Sequence, residues 1–375
     1  MKPRPPMSSR PRILHIISSW ERGVGSELAE FTARLAPEFE SEACVLAALG
    51  LRWTCDVNAY LGLGRVLRRF RPDVVHTWDA VAHSYAALHW GKQRLLAERR
   101  DTDVPKGLLQ HYLDQKTHRF IVPRPNDTLP TAKTVVIPPA AVPVPCAEPM
   151  SAEELLDKLA FPLVEPSGDY YPVFQPQYDP ARRDYKPMPP HSTPFLIGII
   201  LPLGLEHRIL DALWVFETFN YVHLNYHAFV IGDGKDRETF LRYRDRWKLF
   251  SRVHFLGERQ DTHRLLPHID VLLHLSSAAE YSGTILSAMS CGVPVVALEA
   301  PESREYILDG TTGIIIPADG DFRSYRRTAV KRLLYLLENE DLRRSMQVAA
   351  KDRVANEFPF DTAVQRRIDV YRELT

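Results

Sequence analysis

Short apolar runs recur along this chain, each closed by a polar or glycine-rich break and followed by a stretch whose apolar positions return every three or four residues. Arg12 to Ile17, Glu42 to Leu49, Pro72 to Trp78, Arg94 to Asp101, Phe120 to Pro123 and Thr134 to Pro138 form a first series. Phe195 to Ile200, His227 to Ile231, Arg252 to Leu256, Val271 to Leu275, Val293 to Leu298 and the run that ends at Pro317 form a second. Strands that are apolar without alternation are buried on both faces, and alternation with helices makes them neighbours in a parallel sheet. The pattern predicts two α/β halves.

The densest stretch is VLLHLSSAAEYSGTILSAMSCGVPVVALEAPESREYILDGTTGIIIP, from Val271 to Pro317. Ser276 to Ala279 breaks a strand, and Ile285, Leu286, Ala288 and Met289 give one face of a helix. Gly292 suits the left-handed position that ends such a helix, and Val293 starts the next strand at once. Ligands of parallel sheets bind beyond the carboxyl ends of the strands, so the loops Ser276 to Thr284 and Glu299 to Arg304 are expected to border a site. By the same rule the loop after the first strand, with Gly23 and Gly25, either lets a ligand approach the backbone or is a tight turn only. His76 ends the third strand, placed for function or packed. Arg100 lies at the end of the fourth, where a cation meets a phosphate or is merely solvated.

Between the halves the composition changes, because 17 of the 30 prolines lie from Pro123 to Pro194. We read residues 12–147 as one domain, 148–193 as a proline-rich linker, 194–359 as a second domain, and 360–375 as a final helix that returns to the first. The linker carries Tyr170, Tyr171, Phe174, Tyr178 and Tyr185. So many aromatics are expected to pack against the domains, with one capped helix from Ser151 to Leu159.

At 375 residues the chain exceeds what one core supports, and 45% hydrophobic with 25% charged residues is ordinary for a globular protein. Lys plus Arg equals Asp plus Glu at 47 each, which gives no electrostatic argument for nucleic acid. No run reaches the roughly 18 apolar residues of a membrane span, although a peripheral membrane contact stays open. Cys44, Cys55, Cys146 and Cys291 show no metal spacing and read as reduced thiols of a cytoplasmic protein. Neither a metal nor a cofactor is implied.

Several motifs occur in a particular order. PDVVH at 72–76 and TVVIPPAAV at 134–142 come first, then GDG at 232–234, VHFLG at 253–257, AMSCGVPVVA at 288–297, Glu305, and DGTTGIIIP at 309–317. This order resembles the group 1 (family 4) retaining glycosyltransferases. The resemblance implies the GT-B architecture, two Rossmann-like domains facing across a cleft. It also implies retaining transfer of a sugar from a UDP- or GDP-type nucleotide sugar to a glycan, lipid or small-molecule acceptor. On this basis Gly23, Gly25, His76 and Arg100 would line the sugar and acceptor cleft. Gly232 and Gly234 would meet base and ribose, and Gly283, Thr284 and Arg208 the diphosphate, with Glu280 as the catalytic residue. The family's paired glutamates fall on Ala279 and Ser287 here, and its arginine and lysine on Ile199 and Gly204. Three readings follow: a transferase whose degenerate donor site uses Glu280, Arg208 and backbone amides; an inactive homologue that binds or scaffolds; and a sugar-nucleotide epimerase on the same fold, against which the AMSCGVPVVA pattern counts.

Overall fold

The computed structural model describes residues 10–18, 24–51, 56–89, 93–98, 114–123, 129, 131–137, 139–141, 194–222, 226–259, 261–277, 283–318 and 322–375. The expected linker helix and aromatic run lie outside them. The chain divides into two compact units, one of residues 1–143, 279–283 and 354–375, the other of 144–278 and 284–353.

The first unit runs β1 (Arg12–Ile17), α1 (Val24–Leu35), β2 (Glu40–Val45), α2 (Val57–Phe70), β3 (Val74–Thr77), α3 (Ala80–Leu88), β4 (Arg94–Glu98), β5 (Arg119–Val122) and β6 (Thr134–Val136). The six strands form one parallel sheet in the order β2-β1-β3-β4-β5-β6. Alternate residues of β1 serve the two faces. Leu14 and Ile16 pack with Leu63, Phe70, Ala82 and Tyr85, whereas Ile13 and Ile17 pack with Leu28, Phe31 and the C-terminal residues Val364, Ile368 and Tyr371. Asp56 starts α2 by accepting from Asn58 N at 2.8 Å, and Asp79 starts α3 by accepting from Ala82 N at 2.8 Å, as short polar N-caps do.

The second unit runs β7 (Phe195–Ile200), α4 (Ile209–Val222), β8 (Tyr226–Ile231), α5 (Arg237–Arg246), β9 (Val253–Gly257), α6 (Thr262–Leu265), β10 (Val271–His274), α7 (Gly283–Ser290), β11 (Val295–Leu298), α8 (Pro301–Tyr306), β12 (Ile314–Ile316), α9 (Phe322–Glu338) and α10 (Glu340–Glu357). Its sheet is also six-stranded and parallel, in the order β12-β11-β10-β7-β8-β9. Gly292 takes φ 74° after α7, the left-handed value that the helix end requires. The last helix, α11 (Phe360–Leu374), belongs to the first unit. It buries Phe360, Val364, Ile368 and Tyr371 against β1 and α1.

Three local expectations differ from the structure. The second strand stops at Val45, because Ala47–Leu49 coils into a 3-10 turn closed by Gly50 at φ 96°, whose N–H donates to Ala47 O at 3.1 Å. Pro301 begins a helix where a loop was expected through Arg304, since proline suits a first helical turn and Ser303 Oγ accepts from Ala300 N at 2.8 Å. Helix α1 already begins at Val24, which puts Gly25 in its first turn rather than in the preceding loop.

Candidate functional site

In the second unit the chain moves from β7 outward through β8 and β9, then returns to the other side of β7 with β10. The loops after β7 and β10 therefore flank the topological switch point, where parallel sheets bind ligands. His207 Nδ1 and Ser276 Oγ meet across it at 3.2 Å, both buried. Burial holds the His207 and His274 rings below the usual histidine range, His274 at about 4, so both are neutral near pH 7.

The loop after β7 lies on the loop after β8. Leu203 N donates to Asp233 O at 3.0 Å, Asp236 N to Leu203 O at 3.0 Å, and Leu205 N to Asp236 Oδ2 at 2.9 Å. This approach explains the glycines of the 232–234 motif. Gly232 takes φ 137°, and a Cβ there would stand 2.1 Å from Leu201 O; a Cβ on Gly234 would stand 2.7 Å from Leu203 O. Both glycines thus have a packing reason to be glycine, whatever they bind.

Arg208 sits at the end of this loop in the left-handed conformation, φ 56°. Its carbonyl accepts from Ala212 N at 3.2 Å and so opens α4. Its half-buried guanidinium lies 5.3 Å from the centre of the Tyr325 ring. Gly283 opens α7, and among the described residues nothing lies within 4 Å of where a Cβ would stand. Thr284 follows it, half-buried. Helix N-termini carry the positive end of the peptide dipoles, so these two helix starts favour anions. Glu280, Gly23 and Arg100 lie outside the described residues.

His76 stands near the end of β3 and, of the two readings open to it, takes the packed one. It is fully buried under α11, with Nδ1 2.6 Å from Tyr371 Oη and Nε2 3.5 Å from Glu98 Oε1. Its strand residue faces the packed side of the sheet, and α11 covers that side. Burial pushes the Tyr371 hydroxyl well above its usual range, so it stays protonated and donates to His76. His15, paired in register with His76, accepts at Nδ1 from Trp78 Nε1 at 3.2 Å. Arg367 completes the cluster: Nε donates to Glu98 at 2.8 Å, a terminal nitrogen meets Glu27 at 3.2 Å, and the guanidinium lies 5.5 Å from the Phe31 ring and 5.4 Å from that of Trp78. Sequence reasoning missed this cluster because its members are scattered from His15 to Tyr371. The one available signal was the odd placement of His15, His76 and Glu98 in otherwise apolar strands.

Among the described residues no group of three or more histidines, cysteines and carboxylates could hold a metal ion. His227 Nδ1 and His254 Nε2 stand 3.1 Å apart and share a hydrogen bond, with both rings held at about 4 chiefly by burial. Cys44 and Cys291 are free, and burial pushes the Cys44 thiol up to about 12, which makes it inert. Also among the described residues, no helix is long and apolar enough to cross a membrane.

Residues 202–335 match the family model of the group 1 glycosyl transferases. N-acetyl-alpha-D-glucosaminyl L-malate synthase of Bacillus anthracis is 29% identical over 167 residues, 44% of this chain and 42% of that protein. The lipopolysaccharide core biosynthesis glycosyltransferase LpsE of Rhizobium meliloti is 27% identical over 101 residues, 27% of this chain and 29% of that one. The chain thus spans well under half the length of these curated relatives. Over nearly its whole length it superposes on Anabaena HepE, solved in complex with UDP and glucose, at a TM-score of 0.70 and 14% identity, covering 97% of this chain and 100% of that one. Sucrose-phosphate synthase of Thermosynechococcus elongatus gives a TM-score of 0.71 at 12% identity, covering 97% and 99%. The fold is that of the GT-B glycosyltransferases. This chain is glycosyltransferase-like, and its match to the group 1 family model spans residues 202–335.

Proposed function

We propose that this protein transfers a sugar, with retention, from a UDP- or GDP-type nucleotide sugar to a glycan, lipid or small-molecule acceptor. In this reading residues 194–359 take the donor and residues 12–147, with the helix over 360–375, take the acceptor. Base and ribose meet the 232–234 loop. The diphosphate meets Arg208 and the start of α7 at Gly283 and Thr284, and Glu280 stands beside the sugar. Gly25 belongs to the acceptor side with Gly23 and Arg100; His76 supports that side from within the core.

The observation that carries the reading is Arg208. It is a half-buried cation at the opening of a 14-residue helix, inside the stretch that matches the family, and among the described residues it has no carboxylate partner. A departing diphosphate needs positive charge held in place before reaction, and a fixed guanidinium with adjoining helix N-termini supplies it. HepE has been solved with UDP-glucose, which suits the same class of donor.

Calorimetry with UDP- and GDP-sugars tests the proposal, beside the double substitution Ala279→Glu with Ser287→Glu. Binding and turnover of one donor by the natural chain are the expected result. Binding gained only by the double variant, with none by the natural chain, would make the protein an inactive homologue.

A further inference from the structure

Helix α2 (VNAYLGLGRVLRRF) turns Ala59, Leu63 and Phe70 into the first unit, yet its outer face is only partly polar. Val57, Leu61, Arg65 and Arg68 follow one another at intervals of four, four and three residues, which sets them in one stripe along the helix. All four are exposed, Val57 at 68% and Leu61 at 52%. Helix α3 ends beside this stripe, because Gly64 leaves room for His89: a Cβ on Gly64 would stand 3.0 Å from His89 Cε1, and the His89 and Tyr60 rings stack with centres 3.9 Å apart. Tyr60 Oη donates to Leu88 O at 3.4 Å, so Leu88, 46% exposed, adds a third bare apolar side chain. Single exposed leucines are ordinary, but neighbouring ones mark a contact surface. The charge beside them is of one sign. Helix α2 contains no acidic residue, its N-cap Asp56 accepts from Asn58 N at 2.8 Å, and Glu42 meets Arg69. Arg65, Arg68 and the exposed Arg71 that ends the helix have no carboxylate partner among the described residues. A second copy of the chain would set arginine against arginine, so the stripe favours an anionic partner.

We propose that α2 lays this stripe, together with Leu88, on an anionic lipid surface. Val57, Leu61 and Leu88 enter the boundary between headgroups and acyl chains, while Arg65, Arg68 and Arg71 meet lipid phosphates. A straight row of side chains on the outside of a helix suits a plane, which the whole row reaches at once. Three partly exposed apolar side chains are too few to hold a protein on a bilayer, so charge supplies the rest and the contact is reversible and salt-sensitive. Docking of this kind needs no sugar transfer, so vesicle binding and donor binding hold or fail independently.

The test is sedimentation of the full chain with vesicles of phosphatidylcholine alone and with vesicles of phosphatidylcholine and phosphatidylglycerol. Binding to the second kind only, weakened by about tenfold or more in about 0.5 M salt, is the expected result. Arg65→Gln with Arg68→Gln should weaken it by about thirtyfold, the loss of two basic residues at a charged surface. Val57→Ser with Leu61→Ser should weaken it by about tenfold. All four positions are exposed, so thermal midpoints should hold in both variants. Arg242→Gln with Arg246→Gln removes two exposed cations from α5 in the second unit and should leave binding unchanged. Absence of binding to the anionic vesicles would overturn membrane docking, as would equal binding to both kinds, or an equal loss from the α5 pair. Retention on polyglutamate that the Arg65 and Arg68 substitutions abolish, with no vesicle binding, would assign the stripe to an acidic protein and likewise overturn it.

Discussion

The two units share an architecture and use their polar groups in opposite ways. In the first, the polar residues of the sheet face turn on one another. Glu98 and Glu27 neutralise Arg367, Tyr371 donates to Nδ1 of His76, and Trp78 donates to Nδ1 of His15, whose Nε2 has no hydrogen-bond partner among the described residues, all beneath α1 and α11. In the second, Arg208 in the loop after β7 has no carboxylate partner among the described residues, and its guanidinium lies against Tyr325 in the first turn of α9. A buried cluster whose charges are paired internally contributes specificity to the fold, whereas a half-buried cation at a switch point is free to meet a ligand. The same parallel sheet thus yields a sealed polar core in one unit and a receptive edge in the other.

The largest effect should come from opening the sealed cluster. Arg367→Met removes the counter-charge from Glu98, which is 4% exposed, and leaves a buried carboxylate. Breaking a buried pair in this way costs about 3–5 kcal/mol. Adding Glu98→Gln should recover most of it, since the stranded charge is then gone. Urea denaturation of the single and double variants measures both. A single variant as stable as the natural chain would show that Arg367 does not hold the cluster, and the contrast between the units would fail.

A smaller loss should follow in the second unit from Gly232→Ala, where φ 137° and the approach of Leu201 O to 2.1 Å of the added carbon both resist a side chain. Backbone strain of this kind costs about 1–3 kcal/mol, and relief of the clash would shift the loop that carries Arg208. Nucleotide-sugar affinity should therefore fall together with stability. A variant that loses stability but keeps its full affinity would separate the glycine loop from the site.

Much of this was legible in the sequence, and what escaped did so for physical reasons. Apolar strands announce themselves, and both six-stranded sheets follow from runs such as Ile13 to Ile17 and Val293 to Leu298. Gly292 announced its helix end because few other residues tolerate that backbone. Helix α5 (RETFLRYRDR) gave no signal, since its periodic apolar positions are too few and only Phe240 is buried. His76 carried the right spacing for a site, yet its side chain points into the core, because spacing along a strand does not say which face a distant helix will cover. The partner that covers it, Tyr371, lies 295 residues away, and such a pairing is set by topology alone. Arg208 was legible as a nearby cation; its seat on Tyr325 was not, for the same reason.

The smallest effect concerns pH and sets the units side by side. His15 in the first and His274 in the second are both buried and neutral, the former well below the usual histidine value of 6.5, the latter at about 4, each chiefly because burial penalises the charged ring. The folded state therefore binds these protons less readily than the unfolded chain does. Their stabilisation is whole above pH 6.5 and is lost as pH falls below it, for His274 through the window from 6.5 toward 4. For His274 the loss between pH 7 and pH 6 is about 0.7 kcal/mol, small beside the other two effects. His274→Leu should flatten the second unit's share of this slope. The slope from His15 should remain, because Glu98 only partly offsets the burial and the repulsion from His76. Denaturation midpoints of the natural chain and the variant at pH 7, 6 and 5 would decide it: equal slopes in the two proteins would mean that His274 is not held neutral, and that the second unit's interior is more open to water than its burial implies.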